Sequence, residues 1–123
     1  LSLFALAFSP RDGTLASGGV DRRLTLRDST TFRAVSQVTL QAPRMVATLA
    51  WSPDGRLIAM GDIDDESLSK GGIQVFDASS RAAIASLDTG QVPAAGVVFA
   101  GDAGMVVAAV GRDLRAWTVA ALR

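Results

Sequence analysis

The chain reads as all-β, built from repeated antiparallel units of short strands. Three observations carry that reading. A hairpin turn, Ser52-Pro53-Asp54-Gly55, separates the apolar run ending in Ala50-Trp51 from the run Leu57-Ile58-Ala59-Met60. Proline presets φ for a turn, and Asp and Gly tolerate its unusual conformations. The same phrase occurs earlier as Phe8-Ser9-Pro10-Arg11-Asp12-Gly13-Thr14-Leu15-Ala16 and, worn down, as Phe99-Ala100-Gly101-Asp102-Ala103-Gly104-Met105-Val106. Between these turns lie short runs that alternate apolar and polar residues, such as Arg23-Leu24-Thr25-Leu26-Arg27 and Ile73-Gln74-Val75-Phe76-Asp77.

Taken in order, Leu1 to Phe8 reads as a strand buried on both faces, stopped at Ser9-Pro10. Thr14 to Ser17 is a second strand, and Gly18-Gly19-Val20-Asp21 a turn. Arg23 to Arg27 is a half-exposed third strand. Asp28 to Thr31 turns again, and the span from Phe32 to Leu40 holds an outer fourth strand. The cycle restarts with Met45 to Trp51, then Arg56 to Met60. A longer polar connection follows from Gly61 to Gly72, then Ile73 to Asp77 and Ala82 to Leu87. The third cycle runs Ala95 to Phe99, Met105 to Val110 and Leu114 to Thr118.

The spacing is countable. Phe8 to Trp51 is 43 positions and Trp51 to Phe99 is 48; Asp28 to Asp77 is 49 and Asp77 to Thr118 is 41. Units of four strands at this period are the signature of β-propeller blades. The expected architecture is three blades, 1–43, 44–92 and 93–123, the last lacking its outer strand, forming part of an incomplete ring. Rings typically hold about four to eight blades. Alone, the first and last blades would each expose an apolar face on the order of several hundred Å2, a size that marks an interface. The remaining blades are expected from another polypeptide, or from copies of this chain closing a ring, with the first favoured because the blades are unequal.

These units resemble the WD-repeat β-propeller family over essentially the whole chain. The resemblance rests on the Ser-Pro-Asp-Gly turns, the Leu15-Ala16-Ser17-Gly18 strand and the third-strand ends Arg27-Asp28, Phe76-Asp77 and Trp117-Thr118, where the family carries Trp-Asp. The family's Gly-His pair is absent, so its His–Ser–Asp–Trp hydrogen-bond network cannot form. The resemblance implies a protein-interaction, scaffold or regulatory module that holds a protein or peptide on a face built from interstrand loops. By strand order, the candidate contacts on that face are Asp21, Arg22, Arg44, Asp64, Glu66, Lys70, Gln91 and Arg112. Charge reversal at Arg44 and Arg112 is expected to weaken binding without unfolding the ring. The resemblance also implies a chain ending like the C-terminal part of a larger propeller, whose missing outer strand comes from elsewhere. A self-assembling segment and a portion of a propeller enzyme with its active-site residues elsewhere are the alternatives.

Composition bounds the chemistry. Among 123 residues, 12 Lys and Arg balance 12 Asp and Glu, with no Cys and no His. A neutral chain lacks the cationic excess that nucleic acid or an anionic membrane demands. Without Cys there are no disulfides or thiolate metal sites. Without His the commonest general base is missing and a Ser-His-Asp relay is impossible. No catalytic role, cofactor or metal is therefore expected. No apolar run approaches a transmembrane length, and no signal peptide opens the chain. The location is expected to be cytoplasmic, and the Arg- and Ala-rich composition suggests a bacterial source. The chain begins at Leu1 rather than Met, as a piece of something longer or a processed product would.

Four further features have mundane readings. Asp62-Ile63-Asp64-Asp65-Glu66 places oxygens like the start of a calcium loop, but Ser67 replaces the turn Gly and Ile73 the bidentate Glu, so it reads as a solvated hairpin loop. Gly18-Gly19 and Gly71-Gly72 read as turn glycines, not phosphate cradles. Arg27 should lay its stem on neighbouring strands, with its head in water beside Asp28. Trp51 and Phe8 should pack between blades.

Overall fold

The computed structural model describes residues 3–40, 44–64, 66–101 and 104–119. Among them, eleven strands form three antiparallel sheets in meander order. The first sheet holds β1 (Leu3–Phe8), β2 (Leu15–Gly19), β3 (Arg23–Arg27) and β4 (Ala34–Thr39). The second holds β5 (Arg44–Trp51), β6 (Leu57–Asp64), β7 (Gly71–Asp77) and β8 (Ala83–Gly90). The third holds β9 (Ala94–Ala100), β10 (Met105–Val110) and β11 (Asp113–Thr118), so the count of four, four and three strands agrees with the sequence reading.

The turn after each of the first two inner strands is tied by its own side chains. In Ser52-Pro53-Asp54-Gly55, Ser52 Oγ donates to Asp54 Oδ1 at 2.6 Å and accepts from Leu57 N at 3.0 Å. Asp54 Oδ1 also accepts from Arg56 N, and Gly55 takes a φ of 74°, which glycine adopts without strain. The Ser9 turn repeats this with Arg11 N on Ser9 Oγ, Thr14 N on Asp12 Oδ1, and Gly13 at φ 76°.

A second turn type recurs at Asp28, Asp64 and Asp77. Each carboxylate accepts two successive backbone amides, from Thr30 and Thr31, Glu66 and Ser67, and Ser79 and Ser80. The main-chain oxygen of the same Asp accepts from the amide four residues on, which sits in the left-handed region: Phe32, Leu68 and Arg81 at φ 59°, 57° and 63°. Asp28 and Asp77 occupy the family's Trp-Asp positions, and there they cap the hairpins that lead to the outer strands β4 and β8.

The sheets pack face to face through two apolar layers. Between the first and second lie Ala16, Leu24, Leu26, Val46, Ile58, Met60 and Phe76. Between the second and third lie Ala59, Ile73, Val75, Val97, Val106 and Val110. The inner strand of each following sheet packs on the inner strands of the one before it. At one tight point a Cβ added to Gly18 would fall 2.5 Å from Val46 Cβ. Trp51 Nε1 donates to Ala7 O at 2.9 Å, a hydrogen bond from one sheet to the backbone of the next.

Several local expectations are corrected by this packing. Gly18-Gly19 and Gly71-Gly72 are strand residues of β2 and β7, not turn glycines, and at Gly18, Gly71 and Gly72 neighbouring atoms leave no room for a side chain. β3 is more buried than half-exposed: Leu24 and Leu26 lie in the layer against the second sheet, and Thr25 on the other face is 3% exposed. The connection expected from Gly61 to Gly72 is much shorter, since β6 runs to Asp64 and β7 starts at Gly71. The first strand is not buried on both faces, for Leu6 and Phe8 are 61% and 60% exposed while Ala5 and Ala7 pack inward. Phe8 meets the tilted ring of Phe32 at 6.5 Å rather than a second blade. Register makes Leu6 and Phe8 the equivalents of Leu49 and Trp51, which lie against the preceding sheet. On the far side, Val98 and Leu114 are exposed in the same way on the third sheet. The expected start of the first strand, at Leu1 and Ser2, lies outside the described residues.

Arg27 does not leave its head in water beside Asp28. Its Nε donates to Ser17 Oγ at 2.9 Å and Nη1 to Phe32 O at 3.2 Å, so it ties β3 to β2 and to the following turn.

Two outcomes follow. Gly18→Val should destabilise the fold by about 1–3 kcal/mol through overpacking against Val46, whereas Gly96→Ala, where no atom lies within 4 Å of the added Cβ, should change little; urea unfolding of both variants checks this. The backbone amides on Asp28, Asp64 and Asp77, and the Ser52 hydroxyl on Asp54, hold these carboxyl groups below the usual carboxylate pKa. A depressed folded value means a contribution to stability that is present above the unfolded value and lost as pH falls through the folded one. Acid titration of the melting temperature should therefore show a decline below about pH 4 that is blunted in Asp77→Asn.

Candidate functional site

The strand directions put the connections 20–22, 66–70, 91–93 and 111–112 at one end of the sheets. All eight sequence-derived candidates lie at that end. Asp21 and Arg22 form the β2–β3 turn, where Asp21 Oδ1 accepts from Arg23 N and Arg22 O accepts from Leu40 N. Glu66 is exposed in the β6–β7 hairpin, and Arg112 is exposed between β10 and β11. Asp65, named within the acidic run, lies outside the described residues.

Arg44, Asp64, Lys70 and Gln91 line one cavity of about 220 Å3, together with Gly71, Asp88 and Gly90. Pairing explains the convergence. Arg44 is opposite Asp64 across β5 and β6, and Gly71 is opposite Ile63 on one side and Gly90 on the other. Asp21, Arg22, Glu66 and Arg112 do not line it. Asp64 serves the loop first: the Ser67 and Glu66 amides, then nearby Lys70, hold its carboxyl below the usual range.

The acidic run is not one solvated loop. Asp62 lies within β6 and is fully buried, because period-two alternation puts it on the sheet face of Ile58 and Met60. Its Oδ1 accepts a charge-assisted hydrogen bond from Arg44 Nη1, and its Oδ2 accepts from Gln74 Nε2 at 3.4 Å. Gly72 leaves room for the pair, since a Cβ there would lie 3.1 Å from Arg44 Nη1. Sequence reasoning missed Asp62 as the partner of Arg44, and Gln74 as the second donor to Asp62. The alternation of Ile58, Met60 and Asp62 was the available signal.

Arg44 also borders a cavity of about 460 Å3 with Asp62, Gln74 and β8 residues Ala83 to Asp88, and one of about 250 Å3 with Val38, Leu40, Phe76 and Arg81. Arg44 is thus a structural residue as well as a surface one, with its side chain 41% exposed and its partner Asp62 at 0%.

Three face-packed antiparallel meanders define the chain as blades of a β-propeller. Comparison with known proteins narrows the class. The family model "WD domain, G-beta repeat" matches residues 35–68, from β4 into the β6–β7 hairpin. The WD repeat-containing protein VIP3 of Arabidopsis thaliana is 26% identical over 110 residues, which are 79% of this chain and 32% of that protein. Among solved structures, Kuenenia stuttgartiensis hydrazine synthase superposes with a TM-score of 0.76 over 97% of this chain and 33% of that one; at 19% identity the likeness is one of fold alone. The chain has the β-propeller blade fold and is similar to WD-repeat proteins, and it spans about a third of the length of the relatives it matches. WD-repeat proteins generally bind other proteins.

The burial of Asp62 revises the expectation that charge reversal at Arg44 would spare the fold. Removing one member of a buried pair leaves the other charge uncompensated, at a cost of about 3–5 kcal/mol that Arg44's partial exposure should reduce. Arg44→Met should lower stability by about 2 kcal/mol or more, and adding Asp62→Leu should recover most of the loss. Chemical denaturation of the single and double variants checks it.

Proposed function

We infer that this chain is a protein-interaction module whose contact surface is the end of the sheets carrying Asp21, Arg22, Arg44, Asp64, Glu66, Lys70, Gln91 and Arg112. The observation that supports it best is the meeting of Arg44, Asp64, Lys70 and Gln91 around one cavity at that end. Both signs of charge stand there on short loops, held by paired strands. Such a surface steers and orients a complementary polar partner while the sheets behind it stay rigid. The role is scaffold or regulatory binding, and the partner is a protein or peptide. The WD-repeat match supports the class of function.

The face is tested by site-specific crosslinking in the intact polypeptide. A photo-reactive residue at Gln91 should give a discrete crosslinked protein product, reduced several-fold by Lys70→Glu and Arg112→Glu. The same residue at Thr30, on the opposite end, should give none. Equal crosslinking from both ends, or insensitivity to both charge reversals, would remove this face as the contact surface.

A further inference from the structure

The cavity at the loop end is the mouth of a longer groove. Between the first and second sheets the packing is tight at β1, β2 and β5, but the outer strands diverge. The openings there share walls: Arg44, Gln74 and Ala83 border both the 460 Å3 and the 250 Å3 cavities. Val38, Phe76 and Arg81 continue the wall into a narrower cleft that reaches Leu24, Leu26 and Ile58. One side is β4. The other is the face of β7 and β8 that carries Gln74, Phe76 and Ser86.

An arginine stands at each end of this groove. Arg44 spends Nη1 on Asp62, and among the described residues its Nε and Nη2 have no hydrogen-bond acceptor. Arg81 is exposed in the β7–β8 turn, and its guanidinium has no acceptor among the described residues, although its backbone N–H donates to Asp77 O. The carboxylates nearby are engaged. Asp62 is held by Arg44 and Gln74, Asp77 by the Ser79 and Ser80 amides, and Asp88 by the Gly90 amide at 2.7 Å. The groove therefore offers free donors at both ends, with the half-buried Val38 and the buried Leu40 and Phe76 forming the wall between them.

We propose that this groove binds an extended acidic peptide segment of a partner protein, with one carboxylate on Arg44 and a second on Arg81. Guanidinium groups with open N–H positions match carboxylates in geometry as well as charge. The span along β7 and β8 is about 15–20 Å, which an extended segment of about five or six residues covers. An apolar side chain of the segment would lie on the half-buried Val38, and the Gln74 amide stands midway to meet its backbone. β8 has an open edge and carries no charge from Ala83 to Leu87; its one carboxylate, Asp88, lies at the loop end beside Arg44. The proposal rests on the interaction reading of the loop face, into which the groove opens, and its test separates the two.

The probe is an immobilised set of short peptides with Leu or Val at alternate central positions and Glu, Lys or Ser at both ends, presented to the intact polypeptide. Retention should concentrate on the Glu-ended peptides and fall about five- to tenfold with Arg81→Glu. Arg112→Glu, on the loop face but outside the groove, should leave retention unchanged. Arg81→Glu should also keep the wild-type melting temperature, since the Arg81 guanidinium has no bond to lose among the described residues. No retention, equal retention of Glu-, Lys- and Ser-ended peptides, or indifference to Arg81→Glu overturns the groove. If Lys70→Glu and Arg112→Glu still reduce crosslinking from Gln91 several-fold in that case, the loop face stands without it.

Discussion

How closely one sheet approaches the next governs the remainder of the fold. At Gly18 the second strand of one blade leaves no room for a Cβ before Val46 of the following inner strand. That contact sets the separation at which Leu24, Ile58, Met60 and Phe76 can close the apolar layer. Beside it, Trp51 reaches across to Ala7 O, satisfying its indole N–H in an otherwise apolar seam. Blades packed this closely near their inner strands must diverge towards their outer ones. The groove between β4 and β8 is a geometric consequence of the tight inner contact.

The Arg44–Asp62 pair sits where that divergence begins. Burying a carboxylate is costly unless its lone pairs are occupied by charged or polar donors. Arg44 and Gln74 supply those donors, and the bare backbone of β7 at Gly72 gives them space. The pair joins three strands of one sheet at the end that carries the variable loops. The same guanidinium thereby belongs to the frame and to the surface. For that reason Arg44 is a poor reporter of binding alone, while Lys70, Gln91 and Arg112 are better ones.

Turn chemistry repeats more faithfully than the rest. The Asp28 and Asp77 carboxylates hold their hairpins in the same way although neither follows a Trp. Arg27 fills the place of one such Trp and bonds Ser17 directly, without a histidine between. A blade can lose the family's side-chain network and keep its hairpins, since local amide-to-carboxylate bonds need only the right backbone spacing.

Strand order, the repeat and the end of the sheets on which the loops gather were legible because they are local. Turn residues, period-two alternation and the distance between repeats are written in neighbouring positions. The misread elements all involve partners remote in sequence. Gly18 looks like a turn glycine until Val46 is beside it, and Asp62 looks like part of an acidic loop until Arg44, eighteen residues away, is seen to hold it. Leu6 and Phe8 look like core until the face they present is seen to have no sheet upon it among the described residues. Blades and hairpins could be read from the residues alone, because turn and strand preferences act over a few positions. Which glycines accept another strand, which carboxylate is buried and where a groove opens could not, because those depend on surfaces that meet when the sheets stack.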